Sequence, residues 1–146
     1  EKWKPTTRET ADHSLPFCVA AALVDGAVTL DSFDDAHLAN KDILELVSRT
    51  EVRADPDLDE GYPEGIPNRV TVHLAGGPVL QKEVSYPRGH ARNPMTDSEV
   101  EAKFRTLAAP VLPAARIDEI ARRVMRLEEE TGVRPLLELL KVDAEK

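Results

Sequence analysis

Apolar residues recur at helical spacing between Thr10 and Gly26, and this stretch is the best-defined element of the sequence. The apolar positions that this spacing places on one helix face are Leu15, Val19, Ala22 and Leu23. Ser14 suits the N-cap, because its hydroxyl can accept a hydrogen bond from an amide that the helix leaves unpaired. Pro16 falls in the first turn, where a missing N–H costs nothing, and Gly26 supplies the positive φ of a C-terminal cap. The pattern predicts one helix that begins after Ser14 and ends at Gly26.

Further helices are predicted on both sides of the middle of the chain. A short one ends near Leu38, and Asn40 caps another whose apolar face is Ile43, Leu44 and Val47. Thr96 and Glu99 have the spacing of a capping box, which opens a helix with Val100, Phe104 and Leu107 directed inward. A long helix is predicted from Ala114 to Glu130, and a last short one starts at Pro135.

Alternating apolar residues predict strands in the centre of the chain. A short strand is expected from Thr50 to Ala54, and two more, Asn68–Leu74 and Val79–Ser85, form a β-hairpin around Gly76-Gly77. The acidic stretch between them, Asp55–Pro67, contains three prolines and two glycines and is interpreted as a solvated loop. With helices at both ends, these elements predict a single α+β domain over residues 1–146. Its two layers would be helices packed on a mainly antiparallel sheet of about three strands.

Composition narrows the class of protein. The chain has 146 residues, 41% of them hydrophobic, and a formal net charge of −8, which argues against a nucleic-acid surface. Apolar runs fall short of the ~20 residues that cross a membrane, and a signal peptide is not recognisable. The single cysteine, Cys18, cannot form an internal disulfide, which is typical of a reducing compartment such as the cytoplasm. The sequence starts at Glu1 instead of Met, which suggests a piece of something longer or a processed start.

The start of the Ser14 helix is the first candidate site. Asp12, His13 and Ser14 place titratable and polar groups where a helix dipole favours an anion. His13 could transfer a proton, or it could simply pack or cap with Asp12 as its partner. A Ser-His-Asp triad is rejected, because side chains of adjacent residues diverge.

A basic loop after the hairpin is the second candidate site. Arg88, His90 and Arg92 fall within one five-residue stretch, although the chain as a whole is strongly acidic. Gly89 lies among them, and the backbone at a glycine can approach a ligand closely. Arginine pairs with carboxylates through two parallel hydrogen bonds, and histidine can donate a hydrogen bond or move a proton, so the loop indicates a carboxylate ligand. Two alternatives remain open: a solvated basic turn, or a structural loop that joins the hairpin to the Thr96 helix.

Metal binding is not predicted. The four histidines are His13, His37, His73 and His90, and neither their spacing nor the lone Cys18 matches a zinc site. The glycines at the hairpin turn lack the remaining residues of a phosphate-binding loop. We therefore expect neither a metal nor an organic cofactor.

Two stretches together resemble the C-terminal portion of the MmgE/PrpD family. They are RETADHSLPFCVAAALVDG and, much later, YPRGHARNPMTDSEVEAKFRTLA. The resemblance rests on the DHS-x-P-aromatic start of a helix, its Leu-x-Asp-Gly end and the series GHxxNPxTDxExxxKF, and it covers nearly the whole chain. The family includes 2-methylcitrate dehydratases, cis-aconitate decarboxylases and iminodisuccinate epimerases.

The resemblance implies a division of labour. Family members have a large all-helical domain, which carries most catalytic residues, and a smaller α+β domain that covers the cleft; this chain corresponds to the smaller one. Decarboxylase-like and dehydratase-like members have Tyr at the position of Phe17. Phe17 has no hydroxyl, so the resemblance leaves it as a non-catalytic hydrophobic wall. Only His13 and His90 could share proton transfer in such a reaction; His13 is the candidate catalytic residue, and the candidate substrate-binding residues are Asp12, Ser14, Arg88, His90 and Arg92.

The leading functional hypothesis follows from the residues and the resemblance together. The chain is expected to be the lid domain of a lyase, dehydratase-like, that acts on 2-methylcitrate or a related small polycarboxylate and is inactive alone. Its expected partners are that polycarboxylate, a large helical domain in the same or a separate chain, and a second copy in a homo-oligomer. The alternatives are a separately encoded subunit or dimerisation module that binds a helical chain, and a stand-alone carboxylate-binding domain.

Overall fold

A computed structural model describes residues 2–142. The chain divides into two compact units, and the boundary falls between Pro56 and Asp57. The first unit is helical, and the second contains the sheet. The expectation of one domain over residues 1–146 stays a prediction, and its first residue and last four residues lie outside the described range.

The first unit is built from four helices and a short 3-10 turn. The helices are α1 (Arg8–Asp12), α2 (Leu15–Asp25), α3 (Asp35–Leu38) and α4 (Lys41–Ser48), and the 3-10 turn is Asp31–Phe33. The predicted caps of α2 are confirmed: the Phe17 amide donates to Ser14 Oγ over 3.2 Å, and Gly26 has a φ of +78°. Asn40 caps α4 as predicted, because its Oδ1 accepts from the Asp42 amide at 2.9 Å.

The core of the first unit lies between α2 and α4. Its buried residues are Ala11, Phe17, Ala20, Ala21, Ile43 and Val47. The predicted apolar face of α2 is wrong, because Leu15 and Leu23 are exposed and the buried face carries alanines and Phe17. The helix is apolar almost all round, so its periodicity could not select the face that packs. The alanines let α4 approach closely, and Phe17 fills the remaining space beside Phe33, with ring centroids 6.3 Å apart.

His37 in α3 links the end of α2 to the start of α3. Its Nδ1 lies 2.7 Å from Asp34 Oδ1, and its Nε2 lies 3.4 Å from Asp25 Oδ2. Both ring nitrogens can donate to these carboxylates only when the imidazole is protonated. The hydrogen bond that the ring donates to Asp34 therefore raises the pKa of His37, with smaller contributions from the charges of Asp34, Asp25 and Asp31.

This geometry predicts a pH-dependent stability of the first unit. Because the folded pKa lies above the ordinary value of 6.5, the contribution is complete below that pH and is lost as the pH rises through the folded pKa. Urea unfolding should show a lower free energy at pH 8 than at pH 6. His37→Gln should reduce this dependence of the free energy of unfolding on pH, whereas His13→Gln should leave the contribution of His37 to it unchanged. An unchanged pH dependence in His37→Gln would contradict the account.

The second unit contains one two-stranded antiparallel sheet among its described residues. Strand β1 (Asn68–His73) pairs with β2 (Val79–Val84), with Asn68 opposite Val84 and His73 opposite Val79. The hairpin prediction is confirmed. The expected strand at residues 50–54 is wrong, and the sheet has two strands instead of about three. A strand needs a neighbour for its backbone groups, and residues 50–54 lie between α4 and the short helix α5 (Pro56–Asp59).

The hairpin has one polar and one mainly apolar face. On the polar face Arg69 pairs with Glu83, with Nε to Oε2 at 3.0 Å, and Gln81 donates to Thr71 Oγ1 at 3.0 Å. The other face is mainly apolar, and the register places on it Val70, Val72, Leu80 and Val84 together with Asn68 and Lys82. Three of the four apolar residues, all but Val72, are exposed.

Three helices of the second unit follow the hairpin. They are α6 (Asp97–Ala108), α7 (Ala114–Val124) and α8 (Arg134–Leu139), with a 3-10 turn at Leu127–Glu129. The Thr96 capping box is confirmed, but the long helix ends at Val124 instead of Glu130. Val100 and Leu107, which are predicted to point inward, are exposed. A periodic apolar pattern identifies one face of a helix, but it does not show that another element packs on that face. Helices and a small antiparallel sheet confirm the α+β class.

Candidate functional site

His13 follows α1 directly and precedes the start of α2. Its Nδ1 donates to the Glu9 carbonyl oxygen at 2.9 Å and lies against the Asp12 carboxylate. The Glu9 carbonyl, followed by Asp12, raises the pKa of His13. The side chain is 83% exposed, and the Nε2 atom is the ring nitrogen left for a ligand. An imidazole oriented by a carboxylate through Nδ1 can accept or return a proton at Nε2.

A shallow depression lies next to His13. It has a volume of about 240 Å³ and is lined by Lys2, Glu9, Thr10 and His13. Thr10 donates its hydroxyl hydrogen to the Thr7 carbonyl oxygen at 2.9 Å and takes part in the capping of α1. The lining therefore offers one ammonium and one imidazole to an anion, beside one carboxylate.

Ser14 and Phe17 are buried under this surface. The Ser14 hydroxyl donates to the Lys2 carbonyl oxygen and accepts from the Phe17 amide, so it caps α2 and also holds the segment that contains Lys2. Both side chains have no exposed surface. A substrate-binding role for Ser14 and a wall role for Phe17, which the sequence predicts, would each need side-chain surface that is accessible to a ligand.

Arg88 in the basic loop is clamped to α6. Its Nε donates to Glu99 Oε1 at 3.0 Å, its Nη2 contacts Glu99 Oε2, and its Nη1 donates to Asn93 Oδ1 at 2.9 Å. Glu99 also accepts from the Thr96 amide at 2.8 Å, which ties the same carboxylate to the helix cap. These contacts support the interpretation in which the loop joins the hairpin to α6.

The clamp predicts an acid-sensitive contribution to stability. Arg88, with help from the Thr96 amide and hydroxyl, lowers the pKa of Glu99 from 4.5 to about 2. A lowered folded pKa stabilises the fold above the unfolded value, and that stability is lost as the pH falls from about 4.5 towards 2. Carboxyl NMR titration should find Glu99 among the most acidic side chains, and Arg88→Gln should move its pKa upward. A Glu99 that titrates near 4.5 in the unmodified chain would contradict the clamp.

Arg92, His90 and Tyr86 form the other side of the loop. Arg92 donates from Nη1 to the Tyr86 hydroxyl oxygen at 2.6 Å and from Nη2 to Glu64 Oε2 at 2.5 Å. The Arg92 amide donates to His90 Nδ1 at 3.1 Å, and the His90 ring lies 5.0 Å from that of Tyr86. The neutral ring therefore carries its proton on Nε2, as a hydrogen-bond donor.

Three residues that hold the basic loop in place are not among the candidates that the sequence predicts, namely Asn93, Glu64 and Glu99. Asn93 donates from Nδ2 to the Tyr86 carbonyl oxygen at 2.9 Å, and its own carbonyl oxygen accepts from the Gly89 amide at 2.8 Å. Gly89 has a φ of +99°, which a side chain would strain. The GHxxNP series contains Gly89 and Asn93, so their spacing was a signal for Asn93. No local sequence pattern indicates that Glu64 and Glu99 form ion pairs with the two arginines.

The structure brings each candidate cluster together within its own unit. Asp12, His13, Ser14 and Phe17 lie in the first unit, whereas Arg88, His90 and Arg92 lie in the second. In the described part of the chain, three or more His, Cys, Asp or Glu side chains are nowhere grouped so that they could hold a metal ion. Helices with the length and apolarity needed to cross a bilayer are absent from residues 2–142.

Curated proteins similar to this chain include cis-aconitate decarboxylases and a 2-methylcitrate dehydratase. The human cis-aconitate decarboxylase is 27% identical over 137 residues, which are 94% of this chain and 28% of that protein. A cis-aconitate decarboxylase-like protein of Aspergillus oryzae is 30% identical over 94% of this chain and 28% of its own length. The 2-methylcitrate dehydratase of Cupriavidus necator is 32% identical over 81% of this chain and 27% of its own length.

The chain thus spans little more than a quarter of the curated relatives that it matches. A sequence model described as the MmgE/PrpD C-terminal domain matches residues 1–127, which include α2, the hairpin, the basic loop and α6. The DHS helix start and the GHxxNP loop, whose geometry is described above, both lie inside this match. The chain therefore belongs to the MmgE/PrpD family and represents its C-terminal domain.

Proposed function

We propose that this chain is the lid region of an MmgE/PrpD lyase that acts on 2-methylcitrate, cis-aconitate or a related small polycarboxylate. The observation that carries the proposal is the family match over residues 1–127. The relatives' names, decarboxylase and dehydratase, support a substrate with several carboxylates. The proposed reaction uses neither a metal nor an organic cofactor.

The exposed chemistry of the chain supports an auxiliary role in catalysis. His13 presents a ring nitrogen to solvent and is backed by Asp12, so it is the one catalytic candidate. In a dehydration a base removes the proton α to a carboxylate while an acid assists the leaving hydroxyl, and one imidazole does not perform both roles at once. Phe17 lacks the hydroxyl that the resemblance implies at its position. The remaining acid and base are therefore assigned to a large helical domain.

The basic loop and a closing motion complete the proposed role. Arg92 and His90 offer donors that suit a carboxylate, and closing a lid over the substrate excludes water and strengthens such contacts. Arg88 holds the loop through Glu99. In this account the lid binds and encloses the substrate, whereas the choice between dehydration and decarboxylation is made by the helical domain.

The apolar face of the hairpin favours a second candidate function, a separate subunit or dimerisation module. Val70, Leu80 and Val84 are exposed on this face. Lys82 lies on the same face, between Leu80 and Val84. Exposed apolar side chains that are grouped on one face and bordered by polar ones are typical of a surface that another protein covers. A helical chain encoded separately, or a second copy in a cytoplasmic homo-oligomer, would cover it. Participation in propionate metabolism would follow if 2-methylcitrate is the substrate.

Activity and binding assays on the chain test the proposed function together. Incubated with 2-methylcitrate or cis-aconitate, the chain alone should show no turnover, whereas enzymes typically reach roughly 1–1000 per second. Addition of either acid should nevertheless shift the amide NMR signals of residues 86–93. Turnover by the chain alone at an enzyme's ordinary rate would contradict the lid role. Unshifted signals throughout the loop at millimolar ligand would contradict carboxylate binding.

A further inference from the structure

We propose that Arg92 is the exchangeable cation of the basic loop, and that Glu64 occupies it until a carboxylate of the ligand takes its place. The inference rests on the proposed function, because it specifies how the loop binds a polycarboxylate. It assigns different roles to two arginines that the sequence presents alike. It also gives a role to an acidic loop that composition alone describes as solvated.

The Arg92–Glu64 contact has the character of a replaceable ion pair. It is a single hydrogen bond of 2.5 Å from Nη2, between side chains that are 56% and 69% exposed. Ion pairs this exposed contribute little to stability, so a ligand carboxylate competes with Glu64 at small cost. Arg92 itself stays in position during such an exchange, because Nη1 donates to the Tyr86 hydroxyl and the guanidinium carbon lies 5.3 Å from the Tyr86 ring centroid.

The backbone holds Glu64 beside Tyr86. At the neighbouring Gly65, a Cβ atom would meet the Ser85 carbonyl oxygen at 2.7 Å and the Tyr86 ring at 3.1 Å, so only glycine permits this approach. The Ile66 amide donates to the same Ser85 carbonyl oxygen at 2.9 Å. The Gly65 amide donates to the Gly61 carbonyl oxygen at 2.8 Å and closes the turn that carries Glu64. The ion pair is therefore set by fixed chain segments, and not by the reach of two long side chains alone.

Arg88 differs from Arg92 in how firmly its carboxylate partner is held. Its guanidinium meets both oxygens of Glu99, and Glu99 is in turn bound by the amide and hydroxyl of Thr96. A ligand that displaced Glu99 would also break the cap of α6. Arg88 is thus a structural residue of the loop, and Arg92 is the one whose partner can change.

His90 supplies a second donor to a ligand held by Arg92. Its Nδ1 accepts from the Arg92 amide at 3.1 Å, so the neutral imidazole presents the Nε2 hydrogen. A carboxylate that replaces Glu64 would meet a guanidinium and an imidazole N–H from the same short loop. This pair of donors suits one carboxylate group of a polycarboxylate ligand.

Calorimetric titration of the whole chain with cis-aconitate and with 2-methylcitrate tests the exchange. Glu64→Gln should bind either acid roughly 2- to 5-fold more tightly than the unmodified chain, because the internal competitor loses its charge. Glu60→Gln is the matched control: Glu60 is exposed in the same acidic loop, and its replacement removes the same charge. Arg92→Gln should weaken binding by a factor of 10 or more, as expected for loss of a charge-assisted hydrogen bond.

The outcomes separate the exchange from the proposed function. Tighter binding by Glu64→Gln with no change in Glu60→Gln supports the exchange, as does binding seen only in Glu64→Gln. Equal effects of the two substitutions, or weaker binding by Glu64→Gln, would overturn the exchange while leaving carboxylate binding in place. Failure of every variant to bind either acid would overturn both. Because Glu64 is exposed, Glu64→Gln leaves the buried residues untouched, and an NMR spectrum checks the fold.

Discussion

Replacing Phe17 with alanine is expected to lower the free energy of unfolding of the first unit by about 3–5 kcal/mol, the usual cost of removing a buried phenylalanine ring. Phe17 is fully buried between α2 and α4 and packs against Phe33. The small alanines around it cannot fill the cavity. Urea unfolding followed by the fluorescence of Trp3 measures this unit, because Trp3 is the only tryptophan and its Nε1 donates to the Thr50 carbonyl oxygen at 3.2 Å.

Leu23→Ala is the matched control for Phe17→Ala. Leu23 lies on the same helix and is 51% exposed, so its replacement should change the free energy of unfolding by less than about 1 kcal/mol. The sequence pattern had placed Leu23 on the packed face. Equal losses in the two variants would support that pattern and contradict the packing described above.

Replacing Ser14 with alanine is expected to lower the free energy of unfolding by about 1–3 kcal/mol, because its one hydroxyl makes hydrogen bonds to two backbone groups. Ser14 accepts from the Phe17 amide at the start of α2 and donates to the Lys2 carbonyl oxygen. In the alanine variant the Phe17 amide loses its partner at a buried position, and the Lys2 carbonyl oxygen loses its partner at a partly buried one. The N-terminal segment next to Trp3 should loosen as well, which tryptophan fluorescence detects before global unfolding.

Ser48→Ala provides the comparison for Ser14→Ala. The Ser48 hydroxyl donates to the Glu45 carbonyl oxygen at 2.7 Å at the exposed end of α4, and its loss should cost less than about 0.5 kcal/mol. A Ser14→Ala variant as stable as Ser48→Ala would show that the cap and the Lys2 contact contribute little. In that case Ser14 would again be open to a functional interpretation.

Local features of the fold were predictable from the sequence, and the surfaces that pack were not. The caps at Ser14, Asn40 and Thr96 follow from short-range hydrogen bonds, and the structure confirms all three. The packed face of α2 could not be chosen, because a helix that is apolar almost all round has no preferred side in its periodicity. The strand prediction for residues 50–54 is wrong for a related reason. An alternating pattern of apolar residues does not show whether a neighbouring strand is available for pairing.

The sequence groups the candidate residues into two local clusters, but the hydrogen bonds of each cluster reach residues that are distant along the chain. Arg88 and Arg92 look equivalent in the motif. Their partners, Glu99 and Glu64, lie 11 and 28 residues away, so the division into a structural and an exchangeable arginine becomes visible only in the structure. The same holds for Ser14, whose second hydrogen bond reaches back 12 residues to Lys2.

The two clusters make different contributions to the proposed lyase. The Asp12–His13 pair offers a proton-transfer group at an exposed surface, whereas the basic loop offers donors to a carboxylate. Neither cluster encloses a substrate within its own unit. A lid that binds substrate and leaves most of the chemistry to a helical domain accounts for both observations.

The central claim is that this chain works as the C-terminal part of a larger MmgE/PrpD lyase. Intact-mass spectrometry of the native polypeptide, captured gently with its partners from its source, tests this most directly. The account predicts that the sequence is found within a polypeptide several times longer, or bound to a separate chain that carries the helical domain. A native chain of this length that is found alone would contradict the claim, and the loop with Arg92 would then have to be studied as the site of a stand-alone binding protein.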